Sequence, residues 1–184
     1  MLTHCDEIGL TDPQYLCLSG AHNLKIDFGG HRNFFSKSFY PKPIYNAYVL
    51  SARLGNEKLY YYTTKRYQDV SIMPTRHADG HISVLLSYGD DFFKRQLEDL
   101  DVQIDLGGIE RQYDVKIWRI DAKNANVYTK FLELGSPQDP TEEQKEQIRQ
   151  AGALQEESLG TATPENPVVS FAMTNNSVVL LELC

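Results

Sequence analysis

Alternating apolar and polar residues mark the middle of the chain as a run of β-strands. Residues 99–106 give the clearest pattern, because Leu100, Val102, Ile104 and Leu106 alternate with acids and a glutamine. A period of two is typical of a strand that buries one face. Comparable segments span residues 67–75, 81–88, 113–121, 168–173 and 178–183. The pattern predicts about six or seven strands separated by turns.

Turn signals between these segments favour antiparallel pairing. Asp79-Gly80 is a strong hairpin signal between the segments at 67–75 and 81–88. Residues 174–177 give another turn, which predicts a hairpin from the last two strands. Helical segments fall between strands instead of alternating with each one, and this disfavours a parallel sheet. The expected fold is mainly β, an antiparallel β-sandwich with a few short helices.

Three segments have helical character. Residues 44–54 follow a proline, carry a broad apolar stripe that includes Ile44, and meet a stop signal at Gly55. Residues 124–134 place apolar side chains at helical spacing. A third helix is expected after Thr141, because a glutamine three residues later completes a capping box.

The remaining segments are less regular. Residues 23–28 alternate leucine, isoleucine and phenylalanine with polar residues, and this predicts a half-buried strand. Residues 15–18 are apolar enough for a short buried strand. Residues 155–166 form a polar stretch before the final strands, to which no element is assigned.

Composition and charge narrow the classes of function. The 184 residues are 41% apolar and 23% charged, as in an ordinary globular protein. A net charge of -7 argues against a nucleic-acid surface, and no apolar run is long enough to span a membrane. The first residues lack the blocks of a signal peptide, which fits the start of a cytoplasmic protein or a cut within a longer chain, and a cytoplasmic location is expected. Cys5, Cys17 and Cys184 are scattered, which suggests free thiols and no zinc site.

An aromatic loop offers the best contact surface in the sequence. Phe34, Phe35, Phe39 and Tyr40 lie between a pair of glycines and a pair of prolines. Aromatic rings can stack on sugars or cover another domain, and the alternative is that these four pack within the fold. Tyr60–Tyr62 pose a similar choice between a strand covered on both faces and an exposed patch left by a missing partner.

Candidate catalytic and metal-binding residues are weak. The acids within residues 98–105 lie on the polar face of a strand, where a solvated face is the ordinary interpretation. Asp90-Asp91 could bind a cation, but two acids in a turn are usually only a turn, and the histidines share no motif spacing. No nucleophile elbow and no phosphate-binding loop occurs. The sequence therefore predicts no catalytic, cofactor-binding or metal-binding residue.

Four stretches in a fixed order carry a family resemblance. They are the run from Phe-Gly-Gly to Leu-Gly at 28–55, the hairpin at 75–88, Val-Lys-Ile-Trp-Arg-Ile-Asp at 115–121, and the Gly-Ser-Pro … Pro-Thr run at 135–154. They are similar to segments of glycoside hydrolase family 39, the β-xylosidase and α-L-iduronidase family. In that family a β-sandwich region is appended to a catalytic (β/α)₈ barrel. The resemblance implies that residues 44–54 are the last helix of such a barrel.

The resemblance also implies a domain division and says where the chemistry would be. Residues 1–56 correspond to a remnant of the last barrel strand and helix, and residues 57–184 to the β-sandwich. Family enzymes use two glutamates on barrel strands, one of them in an Asn-Glu-Pro motif, whereas Asn56-Glu57 is followed here by lysine. No catalytic residue is carried over, so the chain alone is expected to be inactive. Because a barrel takes roughly 250 residues, the chain is interpreted as a fragment or a barrel-less relative.

Two functions follow as expectations. The first is a C-terminal accessory module that supports the catalytic barrel of a family 39-type glycosidase, with that barrel as its partner. The second is a stand-alone β-sandwich that binds oligosaccharide or protein, for example as a sensory module. Phe34, Phe35, Phe39 and Tyr40 are the expected contact residues in both. Neither function involves a cofactor, nucleic acid or a membrane, and an uncovered apolar patch would favour self-association.

Overall fold

The computed structural model describes residues 27–29, 34–64, 69–90 and 95–184. The predicted strand at 15–18 and most of the one at 23–28 lie outside these ranges, as do Cys5 and Cys17. The described helices are α1 (Pro43–Ser51), α2 (Val127–Glu133) and α3 (Glu142–Ala151). The described strands are β1 (Glu57–Lys58), β2 (Val70–Arg76), β3 (Ile82–Tyr88), β4 (Leu100–Asp105), β5 (Tyr113–Ile120), β6 (Glu156–Ala162), β7 (Val168–Met173) and β8 (Ser177–Leu183).

Two antiparallel sheets face each other, which confirms the predicted β-sandwich. The larger sheet has six strands in the order β1-β2-β3-β8-β5-β6, and the smaller sheet consists of β4 and β7. Alternate side chains of the larger sheet, among them Val84, Ile117 and Leu181, pack against those of β4 and β7 and form the main core. The period-two pattern read from the sequence is therefore the pattern of this core.

The last two strands do not form the predicted hairpin with each other. β7 pairs with β4, whereas β8 pairs with β3 and β5, although only residues 174–176 separate the two strands. Their burial explains the difference. Exposed and buried residues alternate along β7, as in an outer strand, whereas β8 is covered on both faces. The short turn therefore carries the chain from one sheet to the other.

The polar stretch at 155–166 contains strand β6, which the apolar pattern does not predict. β6 pairs with β5 alone and forms an edge of the larger sheet. Most of its residues are exposed, so it lacks the apolar alternation of a half-buried strand. An ion pair of 2.9 Å between Lys116 and Glu156 adds a polar cross-strand contact at this edge.

Helix α1 lies on the outer face of the larger sheet and covers the only tryptophan of the chain. Leu50 of α1 packs with Trp118 and Leu180, which lie on neighbouring strands. The central carbon of the Arg53 guanidinium is 3.7 Å from the centroid of the Trp118 ring, and Arg53 also pairs with Glu182 at 2.6 Å. Strands β5 and β8 are thus covered by the smaller sheet on one side and by α1 on the other.

Capping and one buried amide fix the helices in place. The predicted capping box is confirmed: the N–H of Gln144 donates to the Thr141 hydroxyl over 3.2 Å, and the Thr141 N–H donates to the Gln144 side chain over 2.9 Å. Asn46 of α1 is buried, and its amide donates to the carbonyls of Ala125 and Gly152 over 3.2 and 2.8 Å. This one side chain joins α1 to the start of α2 and the end of α3.

The longest helix in the described ranges, α3, has 10 residues, so none of the helices there is long enough to cross a bilayer. The domain boundary between residues 56 and 57 stays a prediction.

Candidate functional site

Residues 34–42 form a tight hairpin that presents the aromatic loop. Phe35 and Pro41 pair across it, and the N–H of Lys42 donates to the carbonyl of Phe34 over 2.8 Å. At the other end, the N–H of Phe39 donates to the carbonyl of Ser36 over 3.1 Å. Phe39 has a φ of 61°, which is uncommon for a residue with a bulky side chain. The hairpin therefore holds the ring of Phe39 at its turn.

Asp27 fastens this hairpin to the chain before it. Its carboxylate accepts hydrogen bonds from the N–H and the hydroxyl of Ser38, each over 2.7 Å. Burial disfavours the charged form, but hydrogen bonds from Ser36 and Ser38 and the charge of Lys37 outweigh it. The pKa of Asp27 therefore lies below its ordinary value of 3.8.

Replacing Asp27 with asparagine is expected to lower the stability of the protein at neutral pH. Because the pKa is lower in the folded chain, the carboxylate contributes stability above its unfolded value of about 3.8, and this is lost as the pH falls through the folded pKa. The difference in Tm between the two proteins should shrink as the pH is lowered through this window. A difference independent of pH would show that the charge of Asp27 has no part in holding the hairpin.

The four predicted aromatic residues have different surroundings. Tyr40 is 1% exposed, its ring stacks on Phe28 with centroids 6.4 Å apart, and burial raises the pKa of its hydroxyl. Phe34 and Phe35 are half-buried, and Phe39 is 79% exposed. The structure therefore places Phe34, Phe35 and Phe39 at the surface, whereas Tyr40 packs in the interior with Val127 and Ile148.

Helix α1 adds two residues that the sequence interpretation did not assign to this surface. The ring of Tyr45 lies 6.4 Å from that of Phe34 and 4.9 Å from that of Phe35, between centroids. Tyr45 and Ile44 are exposed, because α1 turns Asn46 and Leu50 to the interior instead. The predicted apolar stripe was too broad to show which face of α1 is buried. The buried face also contains a polar residue, Asn46, which an apolar pattern does not indicate. The aromatic surface, as we name it, consists of Phe34, Phe35, Phe39, Ile44 and Tyr45.

A second group of exposed rings follows β1. The N–H of Leu59 donates to the carbonyl of Pro74 over 3.0 Å, and beyond it the chain leaves the edge of β2. Tyr60 and Tyr62 are fully exposed and Tyr61 is 49% exposed. Of the two alternatives for these tyrosines, the structure has the exposed patch.

Two of the acidic and histidine candidates, Asp90 and His77, make contacts within the fold. The carboxylate of Asp90 is buried and accepts from the N–H and the guanidinium of Arg95, each over 3.0 Å. His77 lies with Nε2 2.9 Å from the hydroxyl of Ser83. No group of three histidine, cysteine, aspartate or glutamate residues that could hold a metal is found in the described part of the chain. Asp91 lies outside that part, and the absence of a catalytic residue stays a prediction.

Comparisons with known proteins identify the family of the chain. The profile of glycosyl hydrolases family 39 matches residues 18–166. A β-xylosidase of Caldicellulosiruptor saccharolyticus is 25% identical over 134 residues, which make up 73% of this chain and 27% of that protein. This chain thus spans about a quarter of the length of that relative.

Solved structures share the fold. A monomeric β-xylosidase from Caulobacter crescentus CB15 superposes with a TM-score of 0.67 at 18% identity, over 86% of this chain and 34% of that one. A bacterial orthologue of human α-L-iduronidase gives a TM-score of 0.66 at 20% identity, over 78% of this chain and 27% of that one. Similarity of this degree shows the fold, and the profile match shows the family. Because that match covers most of the chain, the chain belongs to glycosyl hydrolase family 39.

Proposed function

We propose that this chain is the C-terminal accessory β-sandwich of a family 39-type glycoside hydrolase, which supports a catalytic barrel and does not itself carry the catalytic glutamates. The observation that carries the proposal is the aromatic surface. Five large apolar side chains come to the surface at the aromatic hairpin and the start of α1. Single exposed apolar residues are ordinary, whereas a contiguous group of them is typical of a contact surface.

Helix α1 has one side packed on the sandwich and another side free to contact a barrel. Leu50 and Asn46 attach the helix to the sandwich, while Ile44 and Tyr45 point away from it. α1 is also the helix whose sequence resembles the last helix of the family's barrel. The relatives are long enough to include a barrel of roughly 250 residues, because this chain spans only 34% of the Caulobacter β-xylosidase.

The isolated chain is expected to release no nitrophenol from aryl β-xylosides or aryl α-L-iduronides. Retaining glycosidases need two carboxylates about 5 Å apart across the scissile bond, and the proposal assigns both to the barrel. The assay uses the pure chain at high concentration, with the intact Caldicellulosiruptor β-xylosidase as positive control. Turnover that follows the protein peak through a second purification step would refute the accessory role.

A chimaera tests the docking surface. In it, this chain replaces the matched segment of the Caldicellulosiruptor β-xylosidase, and Phe34, Phe35 and Phe39 are changed to alanine together. The Tm of the chimaera should fall by more than the Tm of the isolated chain carrying the same changes. Leu132→Ala and Val168→Ala are matched controls, since both side chains are exposed elsewhere on the surface. Equal losses in the chimaera and the isolated chain would rule out docking through the aromatic surface.

A second candidate function is a stand-alone module that binds oligosaccharide. The observation that favours it is the ring of Phe39, which is 79% exposed at the turn of a hairpin where a sugar could stack on it. Titration calorimetry with xylo-oligosaccharides should then give heat that Phe39→Ala abolishes. The absence of heat with the unmodified chain would exclude oligosaccharide binding, and the accessory role would be the one remaining function.

A further inference from the structure

A groove beside β4 leaves part of the sandwich uncovered. Its volume is about 1410 Å³, and it lies between β4 and residues 59–64, over the inner faces of β2 and β3. Its floor on the side of the larger sheet is aliphatic, with Val70, Ile72 and Val84, whereas Tyr60–Tyr62 lie in the wall formed by residues 59–64. In the described part of the chain, a sheet of two strands faces one of six, so it cannot cover the whole inner face.

The two strands of the smaller sheet differ in how well their inner side chains are covered. Along β7, Val169, Phe171 and Met173 are all buried. Along β4, the corresponding Val102 and Ile104 are only half-buried although they point at the same core. The groove borders β4 and does not reach β7. The incomplete burial is therefore confined to the side on which the groove lies.

The backbone of β4 is unpaired on the same side. Among the described residues β4 pairs with β7 alone, so its other edge has no partner strand. Because the groove lies along residues 100–108, this free edge faces the groove. An open edge next to an aliphatic floor is the arrangement to which an extended peptide adds as a further strand.

Charge indicates which peptide would fit. Asp99, Asp101 and Asp105 lie on the exposed face of β4 and its approach, and none of them forms an ion pair within the described ranges. The two arginines in the groove lining contact other residues and do not pair with these aspartates. Arg76 lies 3.8 Å from Glu57, and Arg111 lies over the ring of Tyr113 at 4.7 Å. Lysine or arginine on the solvent face of an added strand would pair with these acids.

We propose that the groove binds an extended polypeptide segment from outside these 184 residues, which joins the free edge of β4 as a third strand of the smaller sheet. Its apolar side chains alternate with lysine or arginine, the first set covering the groove floor and the second facing the acids of β4. The proposal does not depend on docking through the aromatic surface, which lies elsewhere in the sequence and fold.

Two other occupants fit the groove less well. Two copies of β4 paired antiparallel about Gln103 would set Asp101 of each copy opposite Asp105 of the other, and like charges in that position are destabilising. A sugar stacked on Tyr60–Tyr62 in the wall would also need hydrogen-bonding groups on the floor, and the floor formed by Val70, Ile72 and Val84 is aliphatic. Both remain distinguishable outcomes of the test.

The test uses a capped synthetic peptide as long as β4, in which valine alternates with lysine, and a control peptide with glutamate in place of lysine. The lysine peptide should bind, and it should slow amide hydrogen exchange within residues 100–105. The variant Asp99→Lys/Asp101→Lys changes two exposed side chains and keeps the fold. It should bind the lysine peptide roughly tenfold more weakly and should prefer the glutamate peptide. Ile72→Thr should weaken both peptides without changing the preference for charge.

Five results would overturn the proposal. The lysine peptide could fail to bind or bind the charge-reversed variant equally well. It could also bind without protecting the amides of β4. Finally, protection of those amides in the protein alone, rising with its concentration, would assign the groove to a second copy, and protection by xylo-oligosaccharides would assign it to a sugar. None of these outcomes changes the expected results of the hydrolysis and chimaera experiments, which test the accessory role separately.

Discussion

Replacing Leu180 with alanine is expected to lower the free energy of unfolding by about 2–5 kcal/mol. Leu180 is fully buried on β8, the strand between β3 and β5 in the larger sheet. Its side chain lies on the outer face, where it packs with Leu50 of α1 and with Trp118. The truncation leaves a cavity between helix and sheet, and the hydrogen-bonded neighbours on both sides of β8 limit how far the site can collapse.

Urea unfolding followed by tryptophan fluorescence measures this effect, since the single tryptophan is at the site. Leu132→Ala is the matched control, because that leucine is 48% exposed on α2 and its truncation should change stability by less than about 0.5 kcal/mol. If both variants lost the same stability, α1 would not be packed on the sheet as described. The result bears on function, because α1 also carries part of the aromatic surface.

The positions of strands that expose one face to solvent could be predicted from the sequence, whereas the pairing of strands could not. In β4 every second residue is apolar, and the structure has a strand there within one residue of the predicted ends at either side. The partners of β7 and β8 depend on which sheet each strand joins, and a short turn between them is compatible with both arrangements. β8 has a longer uninterrupted run of apolar residues than β7, and this was the one indication in the sequence that both faces of β8 would be covered.

The candidate site was predictable in part for a similar reason. The loop was identified from its aromatic residues, but composition does not distinguish a buried ring from an exposed one. Tyr40 packs in the interior with Val127 and Ile148, and Phe39 is exposed, although the two are adjacent in sequence. Ile44 was placed in an apolar stripe expected to be buried, and Tyr45, next to it, was assigned no role. The groove beside β4 had no sequence signal, since it results from the unequal size of two sheets formed by distant segments.

Gly55 was predicted to end the first helix, but the structure requires a glycine there for a different reason. The sequence interpretation gives Gly55 the role of a stop signal for the first helix. The structure ends α1 at Ser51, with Ala52 as its cap, so the helix does not use this glycine. Instead the chain passes against the end of β2 at Gly55, whose N–H donates to the hydroxyl of Thr75 over 2.8 Å.

Changing Gly55 to alanine is therefore expected to cost about 1–3 kcal/mol of stability. A β-carbon there would lie 2.3 Å from the carbonyl oxygen of Arg76 and 2.7 Å from the backbone nitrogen of His77. Both are backbone atoms held in the β2–β3 hairpin, so they cannot move aside as the end of a side chain could. Relief requires the chain after α1 to lift from β2, which would also weaken the hydrogen bond to Thr75.

Gly107→Ala is the control, because a β-carbon at that position meets only a carboxylate oxygen of Asp105 at 3.5 Å, an ordinary contact. Thermal unfolding of the two variants beside the unmodified chain should give a clear loss of Tm for the first and little change for the second. Equal losses would mean that glycine is needed at neither place for close packing. A loss confined to Gly55→Ala would establish that the segment after α1 is seated on the sandwich, as the proposed accessory role requires.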